Sequence, residues 1–178
     1  MQIISGKFRG KKLIEFVTDT TRPTTNRVRE NIFNIVGSSV RGAVVLDLFA
    51  GGGAFSAECE SRGARRVVAN DVNSRAVEFI KKNTNNTIEI YNLDYRDLLL
   101  KLKGQKFDIV FLDPPYDSDY GELALQMLTQ FDMLNDGAVA VFECEHELDL
   151  NDSVFENFDV KEKKYGRARV YVLTFKSA

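Results

Sequence analysis

Asp113-Pro114-Pro115-Tyr116 follows the apolar run 107–112 and ends it with a carboxylate, two rigid imides and an aromatic ring. Two consecutive prolines fix φ, remove two backbone donors and stop a strand. Beyond such a stop the carbonyls of Asp113 and Pro114 have no ladder partner on that side. Together with the Asp113 carboxylate they make an acceptor pair suited to an exocyclic NH2 group, and Tyr116 offers a flat face on which a planar ring can stack. These four residues are the parts needed to hold the amine of a nucleobase while a bond forms at its nitrogen. Read alone, Asp-Pro-Pro-Tyr is equally a stiff turn, so the remainder of the chain decides.

A second constellation lies upstream. Asp47-Leu48-Phe49-Ala50-Gly51-Gly52-Gly53 joins an apolar run to a helical pattern, and its glycines let the backbone turn sharply against a ligand. Gly51-x-Gly53-x-x-Ser56 resembles a dinucleotide fingerprint, but its third small position is not glycine and Asp47 stands four residues before Gly51. An acidic group there repels a pyrophosphate and welcomes a cation, which favours the sulfonium and ammonium of S-adenosylmethionine over NAD. Asp71 ends the next apolar run, 18 residues after Gly53, where a carboxylate can accept ribose hydroxyls. Asp94 follows the third, in Tyr91-Asn92-Leu93-Asp94, and is placed to meet an adenine amine. Each aspartate alone reads as a helix N-cap; three acidic strand ends in succession read as a ligand edge. Phe49, Ala50, Val72 and Tyr95 complete the candidate cofactor set.

The elements that must position these groups follow from periodicity. From Ala43 onward strands alternate with helices: strands at 44–49, 67–70, 87–91, 107–112 and 138–143, helices near 54–62, 73–83, 94–103 and 120–131. Such alternation demands a mostly parallel sheet covered on both faces, a doubly wound α/β fold. Runs 158–164 and 169–175 are too close for an intervening helix and read as an antiparallel hairpin on the sheet edge, giving seven strands. Ahead of this body, 2–16 suits a small β-hairpin, 18–22 a loop, and Pro23-Thr24-Thr25-Asn26 introduces an amphipathic helix through Val28, Ile32, Phe33, Ile35 and Val36, closed by Gly37. The expected division is a basic extension over 1–42 and a catalytic domain over 43–178.

Composition excludes several classes. The 178 residues suffice for one domain with a full core. No apolar run approaches a membrane span, and the N-terminus lacks a signal-peptide layout. Cys59, Cys144 and the single His146 make no metal-ligand cluster; buried reduced thiols, an exposed strand-end histidine, no metal and a cytoplasmic protein are the expectation. The net charge of −2 hides a partition. Residues 1–42 carry eight basic against three acidic side chains, 161–178 six against one, and the middle ten against 22. An acidic body with two basic ends suggests a polyanion gripped by the termini.

With those residues assembled, the chain resembles the class I S-adenosylmethionine-dependent methyltransferases and, more narrowly, the bacterial RsmD family. The resemblance runs through Ile3-Ile4-Ser5-Gly6-Lys7-Phe8-Arg9-Gly10-Lys11-Lys12-Leu13, Arg22-Pro23-Thr24-Thr25-Asn26-Arg27-Val28-Arg29-Glu30, Leu46-Asp47-Leu48-Phe49-Ala50-Gly51, Ser61-Arg62-Gly63-Ala64 and Asp113-Pro114-Pro115-Tyr116. It implies a Rossmann-like methyltransferase fold and methylation of the exocyclic N2 of a 16S rRNA guanine, the guanine-966 type of reaction, on a 30S subunit or assembly intermediate, by a monomer. Carried over, Asp47, Gly51 and Gly53 line the methionine end, Asp71 the ribose, Asp94 the adenine and 113–116 the target base. Arg9, Lys11, Lys12, Arg22, Thr24, Arg27 and Arg29 meet RNA. The chain departs from the family pattern at Gly52, usually Ser, at Asp71, usually Glu, and at Tyr165-Gly166-Arg167-Ala168, usually Tyr-Gly-Asp-Thr. The residues alone leave open an adenine-N6 methyltransferase, an NAD-dependent oxidoreductase and a non-catalytic RNA-binding assembly factor.

Overall fold

The computed structural model describes residues 1–17, 26–85, 87–116 and 118–177. The loop expected at 18–22 and the helix lead-in at 23–25 lie outside the described residues. Seven strands, β1 (Val44–Asp47), β2 (Arg66–Asn70), β3 (Glu89–Tyr91), β4 (Phe107–Leu112), β5 (Leu134–Cys144), β6 (Phe158–Tyr165) and β7 (Ala168–Phe175), form one sheet in the order β3-β2-β1-β4-β5-β7-β6. The pairs from β3 across to β5 are parallel. β7 runs antiparallel to both β5 and β6. The expected α/β sheet and its terminal hairpin are therefore both present.

Helices α1 (Asn26–Val36), α2 (Ala54–Ser61), α3 (Ser74–Asn83), α4 (Tyr95–Lys101) and α5 (Tyr120–Gln130) connect or cover the strands. Alternate residues of each central strand feed opposite faces, as the pleat requires. Val45, Val67, Ile109, Phe111 and Val141 pack on one side with Val28, Ile32, Phe33 and Val36 of α1 and Phe55 and Cys59 of α2. Leu46, Val68, Val110, Leu112 and Phe142 pack on the other with Leu98 and Leu99 of α4 and Ala124, Leu125 and Leu128 of α5. The spacing of the α1 apolar residues places all four on one helical face. Burying each of them contributes roughly 1.5–3 kcal/mol, which fastens the basic N-terminal segment to the same core as the sheet. No helix among the described residues is long and apolar enough to cross a membrane.

Beyond strand and helix ends that shift by up to two residues, two elements differ from the sequence expectation. β5 begins at Leu134 rather than at 138, because Asn135-Asp136-Gly137 does not break it. The pairing with β4 shifts register between Phe107 and Ile109, and Asn135 Nδ2 donates to Asp108 Oδ1 at 2.6 Å across the irregularity. The N-terminal hairpin is short: one antiparallel bridge pairs Gln2 with Lys12, flanked by Ile3 N donating to the Lys11 carbonyl at 2.9 Å, Gly10 N to the Ile3 carbonyl at 2.9 Å and Leu13 N to the Met1 carbonyl at 3.0 Å. Four other donors of the segment go to α2: Ile4 N and Ser5 N donate to the Glu58 carboxylate at 2.8 and 3.0 Å, Phe8 N to Ser61 Oγ at 2.9 Å and Lys7 N to the Ser61 carbonyl at 2.9 Å. The segment is a strap over α2 rather than a free ribbon.

After β1 the chain proceeds to β2 and β3 on one side, then crosses back to place β4 on the other. Strand order reverses between β1 and β4, and a crevice opens at their carboxyl ends.

Candidate active site

That crevice holds a cavity of about 400 Å³ lined by the ends of β1, β2, β3 and β4. Phe49, Ala50 and Gly51 form its floor, Asp71 and Val72 one side, Asp94 and Tyr95 the next, and Asp113, Pro114, Pro115 and Tyr116 the side opposite. Residues brought together only by the fold, separated by more than sixty positions, thus share one space.

Asp47 and Gly53 lie behind the wall rather than in it. The Asp47 carboxylate is 2% exposed and accepts from Ser56 N at 3.1 Å and Ser56 Oγ at 2.6 Å. It caps the first turn of α2, where the helix dipole favours a negative charge. Burial nevertheless pushes its pKa up to about 7, against the Ser56 hydroxyl bond and with help from the charges of Asp113 and Asp71. Gly53 has φ of 76°, and a Cβ there would stand 3.1 Å from the Ile80 side chain. Both the left-handed backbone and the close approach of α3 require glycine at this point.

Asp71 Oδ2 accepts from Gly51 N at 2.8 Å and its Oδ1 from Asn73 N at 2.8 Å, so the carboxylate ties the glycine loop to the second strand end. Burial raises its pKa, opposed by those two amide bonds. Asp94 is both rim residue and helix cap. It accepts from Arg96 N at 2.9 Å and pairs with the Arg96 guanidinium at 2.9 Å, and the hydrogen bond from Arg96 lowers its pKa. The Tyr95 ring packs against Phe49 at 5.4 Å and Tyr120 at 5.2 Å, and its buried hydroxyl has no hydrogen-bond partner among the described residues. Beyond the clamp, Pro115 O accepts from Ser118 N and Ser118 Oγ at 3.1 and 2.6 Å, which folds the chain back toward α5.

A roof over the glycine loop comes from the N-terminal segment. Ile14 and Phe16 cross Gly52, where a Cβ would meet Phe16 Cβ at 3.1 Å. Asn83 holds them there: its Oδ1 accepts from Ile14 N at 2.8 Å, and its Nδ2 donates to the carbonyls of Ile14 at 2.9 Å and Gly52 at 2.8 Å.

A family model described as Conserved hypothetical protein 95, the RsmD family, matches residues 1–174. The chain belongs to this family. Among its relatives, the Ribosomal RNA small subunit methyltransferase D of Haemophilus influenzae is 32% identical over 84% of this chain and 81% of its own length. The protein of the same name from Escherichia coli is 32% identical over 83% of this chain and 76% of its own length. The solved structure of Escherichia coli yhhF superposes with a TM-score of 0.88 at 31% identity, covering 100% of this chain and 99% of that one. The Haemophilus influenzae protein HI0767 gives 0.80 at 29% identity, covering 99% and 98%. The Rossmann-like sheet expected from the sequence is the fold of these neighbours.

In this RsmD-family chain the basic residues named for RNA separate into distinct environments. Arg9, Lys12 and Arg27 are exposed. Lys11 spends its ammonium on the Asn83 carbonyl at 2.9 Å and Asn85 Oδ1 at 3.3 Å, anchoring the strap to α3. Arg29 is 1% exposed; it lines the wall of the cleft and, with Arg9, a second cavity beside the N-terminal segment. Arg22 and Thr24 fall outside the described residues. At the other end of the chain, Arg169 is paired with Glu147 and Glu162 and Lys176 with Asp159, so part of that positive charge is neutralised internally. Cys59 and Cys144 are buried free thiols. His146 is exposed past β5, with Nε2 2.9 Å from Glu122 Oε1.

Several positioning residues escaped the sequence reading. Asn70 Nδ2 donates to the Leu48 and Leu93 carbonyls at 3.2 and 3.0 Å while its Oδ1 accepts from Leu93 N at 3.1 Å, bracing the first and third strand ends. A polar residue closing an otherwise apolar strand was its only signal. Asn83 and Glu58 had none, because each lies on a helix and acts on residues more than fifty positions away.

Proposed function

We propose that this chain transfers the methyl group of S-adenosylmethionine to the exocyclic N2 of a guanine in 16S rRNA. The observation that carries the reading is the placement of the acidic strand ends Asp71 and Asp94 and the clamp 113–116 around one cavity. The residues present fit the cofactor: aromatic and apolar groups at Phe49, Leu93 and Tyr95 suit the adenine, Asp71 suits vicinal hydroxyls, and acidic walls suit the cationic methionine end. When bound, S-adenosylmethionine supplies an electrophilic methyl carbon and a neutral thioether leaving group.

The chain's own work is positional and electrostatic. Asp113 and the Pro114 carbonyl accept the two hydrogens of the target amine, which turns its lone pair into the cleft and favours a pyramidal nitrogen. Tyr116 holds the ring by stacking. Orientation and preorganised acceptors of this type contribute several kcal/mol to lowering a barrier. No strong base is needed, because a methylated, positively charged amine on a purine releases its proton readily and Asp113 stands ready to take it. A base can enter this cleft only after leaving its stack. Arg9, Lys12 and Arg27 would neutralise phosphates while it does so.

The names of the curated relatives support the rRNA substrate. The preference for guanine N2 over adenine N6 rests on family membership, since the clamp fits either amine. Small subunits incubated with labelled S-adenosylmethionine and this chain should acquire label, and Asp113→Ala should abolish transfer while changing cofactor affinity by no more than a few fold. Full activity in that variant would overturn the clamp. Absence of transfer by the unmodified chain, with cofactor and RNA both bound, would favour an assembly factor.

A further inference from the structure

Arg29 sits where a charged side chain is hardest to keep. Its guanidinium is buried, yet among the described residues Nε and Nη1 have no hydrogen-bond partner. Nη2 donates to the Gln2 carbonyl, and Nη1 stands 3.8 Å from Glu58 Oε2, beyond hydrogen-bond reach. Glu58 is an incomplete counter-charge, because its oxygens already accept from Ile4 N, Ser5 N and Arg62 Nε at 2.8, 3.0 and 2.8 Å. Unspent donors on a buried cation are costly and call for an explanation.

The explanation lies in the cavity wall. Arg29 lines the main cleft and is the one arginine or lysine among its described lining residues; the acidic side chains sharing that lining are Glu15, Asp71, Asp94 and Asp113. The terminal amine of Met1 also reaches the cleft but is paired with Glu15 at 2.8 Å. S-adenosylmethionine carries two positive groups and one negative. Carboxylates suit its sulfonium and ammonium, and leave its α-carboxylate in need of a cation. Arg29 contacts α2 through Glu58, one turn beyond Ala54, and α2 begins at the glycine loop that the methionine end approaches. We infer that Arg29 binds the α-carboxylate of the cofactor's methionine, which makes it a cofactor-binding residue and not an RNA contact. The inference rests on the cofactor reading above and deepens it: the chain would select the amino-acid end of its donor as well as the nucleoside. An arginine at such a wall could instead read O6 and N7 of the target guanine, but the excess of acid around it favours an anionic group.

Calorimetry on the full chain tests this with two ligands that differ by one group, S-adenosylmethionine and its decarboxylated analogue. The unmodified chain should bind the intact cofactor at least about tenfold more tightly, the worth of a charge-assisted hydrogen bond. Arg29→Gln should lose that factor for S-adenosylmethionine and stay within about twofold for the analogue, whose binding also reports that the variant is folded. Arg29→Lys should fall between. Equal weakening of both ligands by Arg29→Gln would assign a structural role and overturn the inference, as would equal affinity of the unmodified chain for both. Unchanged cofactor affinity with abolished methyl transfer would move Arg29 to the target base and overturn it too. Failure of the unmodified chain to bind either ligand would remove the cofactor reading itself.

Discussion

Burial holds the Asp47 carboxyl near pH 7, and this gives cofactor binding a proton to release. In the folded chain its pKa is pushed up to about 7, with Ser56 as its hydrogen-bond partner. If a bound cation stabilises the ionised form by about 3 kcal/mol, the Coulomb energy of two unit charges about 6 Å apart at an effective dielectric near 20, the factor is roughly 100. Below pH 7 the carboxyl must first ionise, so affinity should fall with acidity. With that factor the cofactor binds about ninefold more weakly at pH 6 than at pH 8, and about 0.8 proton leaves per cofactor bound at pH 6. Titration calorimetry at pH 6 in buffers of different ionisation enthalpy counts that proton directly. Asp47→Asn should bind with little pH dependence and no proton release across the same range. An unmodified chain that binds equally at pH 6 and pH 8 without releasing a proton would refute the coupling. Stability carries the matching sign. A carboxyl whose folded pKa lies above its unfolded value favours the native state fully at low pH, and its contribution is lost as pH rises from about 4 to about 7.

Other perturbations test the supporting structure. Glu58→Ala removes a buried carboxylate that holds Ile4 N, Ser5 N and Arg62; a loss of about 3 kcal/mol and a melting temperature lower by about 10 °C are expected, and an unchanged thermal melt would contradict the strap. Gly121→Ala would drive a Cβ to 2.2 Å from the Phe142 ring, and chemical denaturation should show a cost of about 2 kcal/mol or more. Replacing Arg9, Lys12 and Arg27 together should weaken RNA binding and flatten its dependence on salt by about one log unit for each phosphate left without its cation. The same salt slope in the variant would remove these residues from the interface.

Most of the fold was legible because its signals are local. Strand 107–112 is bounded by a glycine-containing turn and two prolines, and its ends agree with the structure residue for residue. Asp71, Asp94 and Asp113 share the cleft because each stands at or just past the carboxyl end of a strand, a local signal as well. What escaped depends on groups distant in sequence. Lys11 and Arg29 look like surface cations in a basic segment, but Asn83 and Glu58 draw them inward. The N-terminal hairpin is legible as a turn between short apolar pieces, but nothing local shows that Ile4, Ser5 and Phe8 donate to α2 side chains. Asp47 was expected to face the donor's positive groups; Ser56 takes its carboxylate, and its influence on the cleft is electrostatic through the wall.

The identity of the methylated atom decides the function. Small subunits from cells lacking this chain, incubated with it and S-adenosylmethionine and then digested to nucleosides for mass spectrometry, report that atom directly. N2-methylguanosine is expected, in an amount of about one per subunit at completion and absent with Asp113→Ala. N6-methyladenosine, or methyl transfer that survives loss of Asp113, would contradict the proposed function.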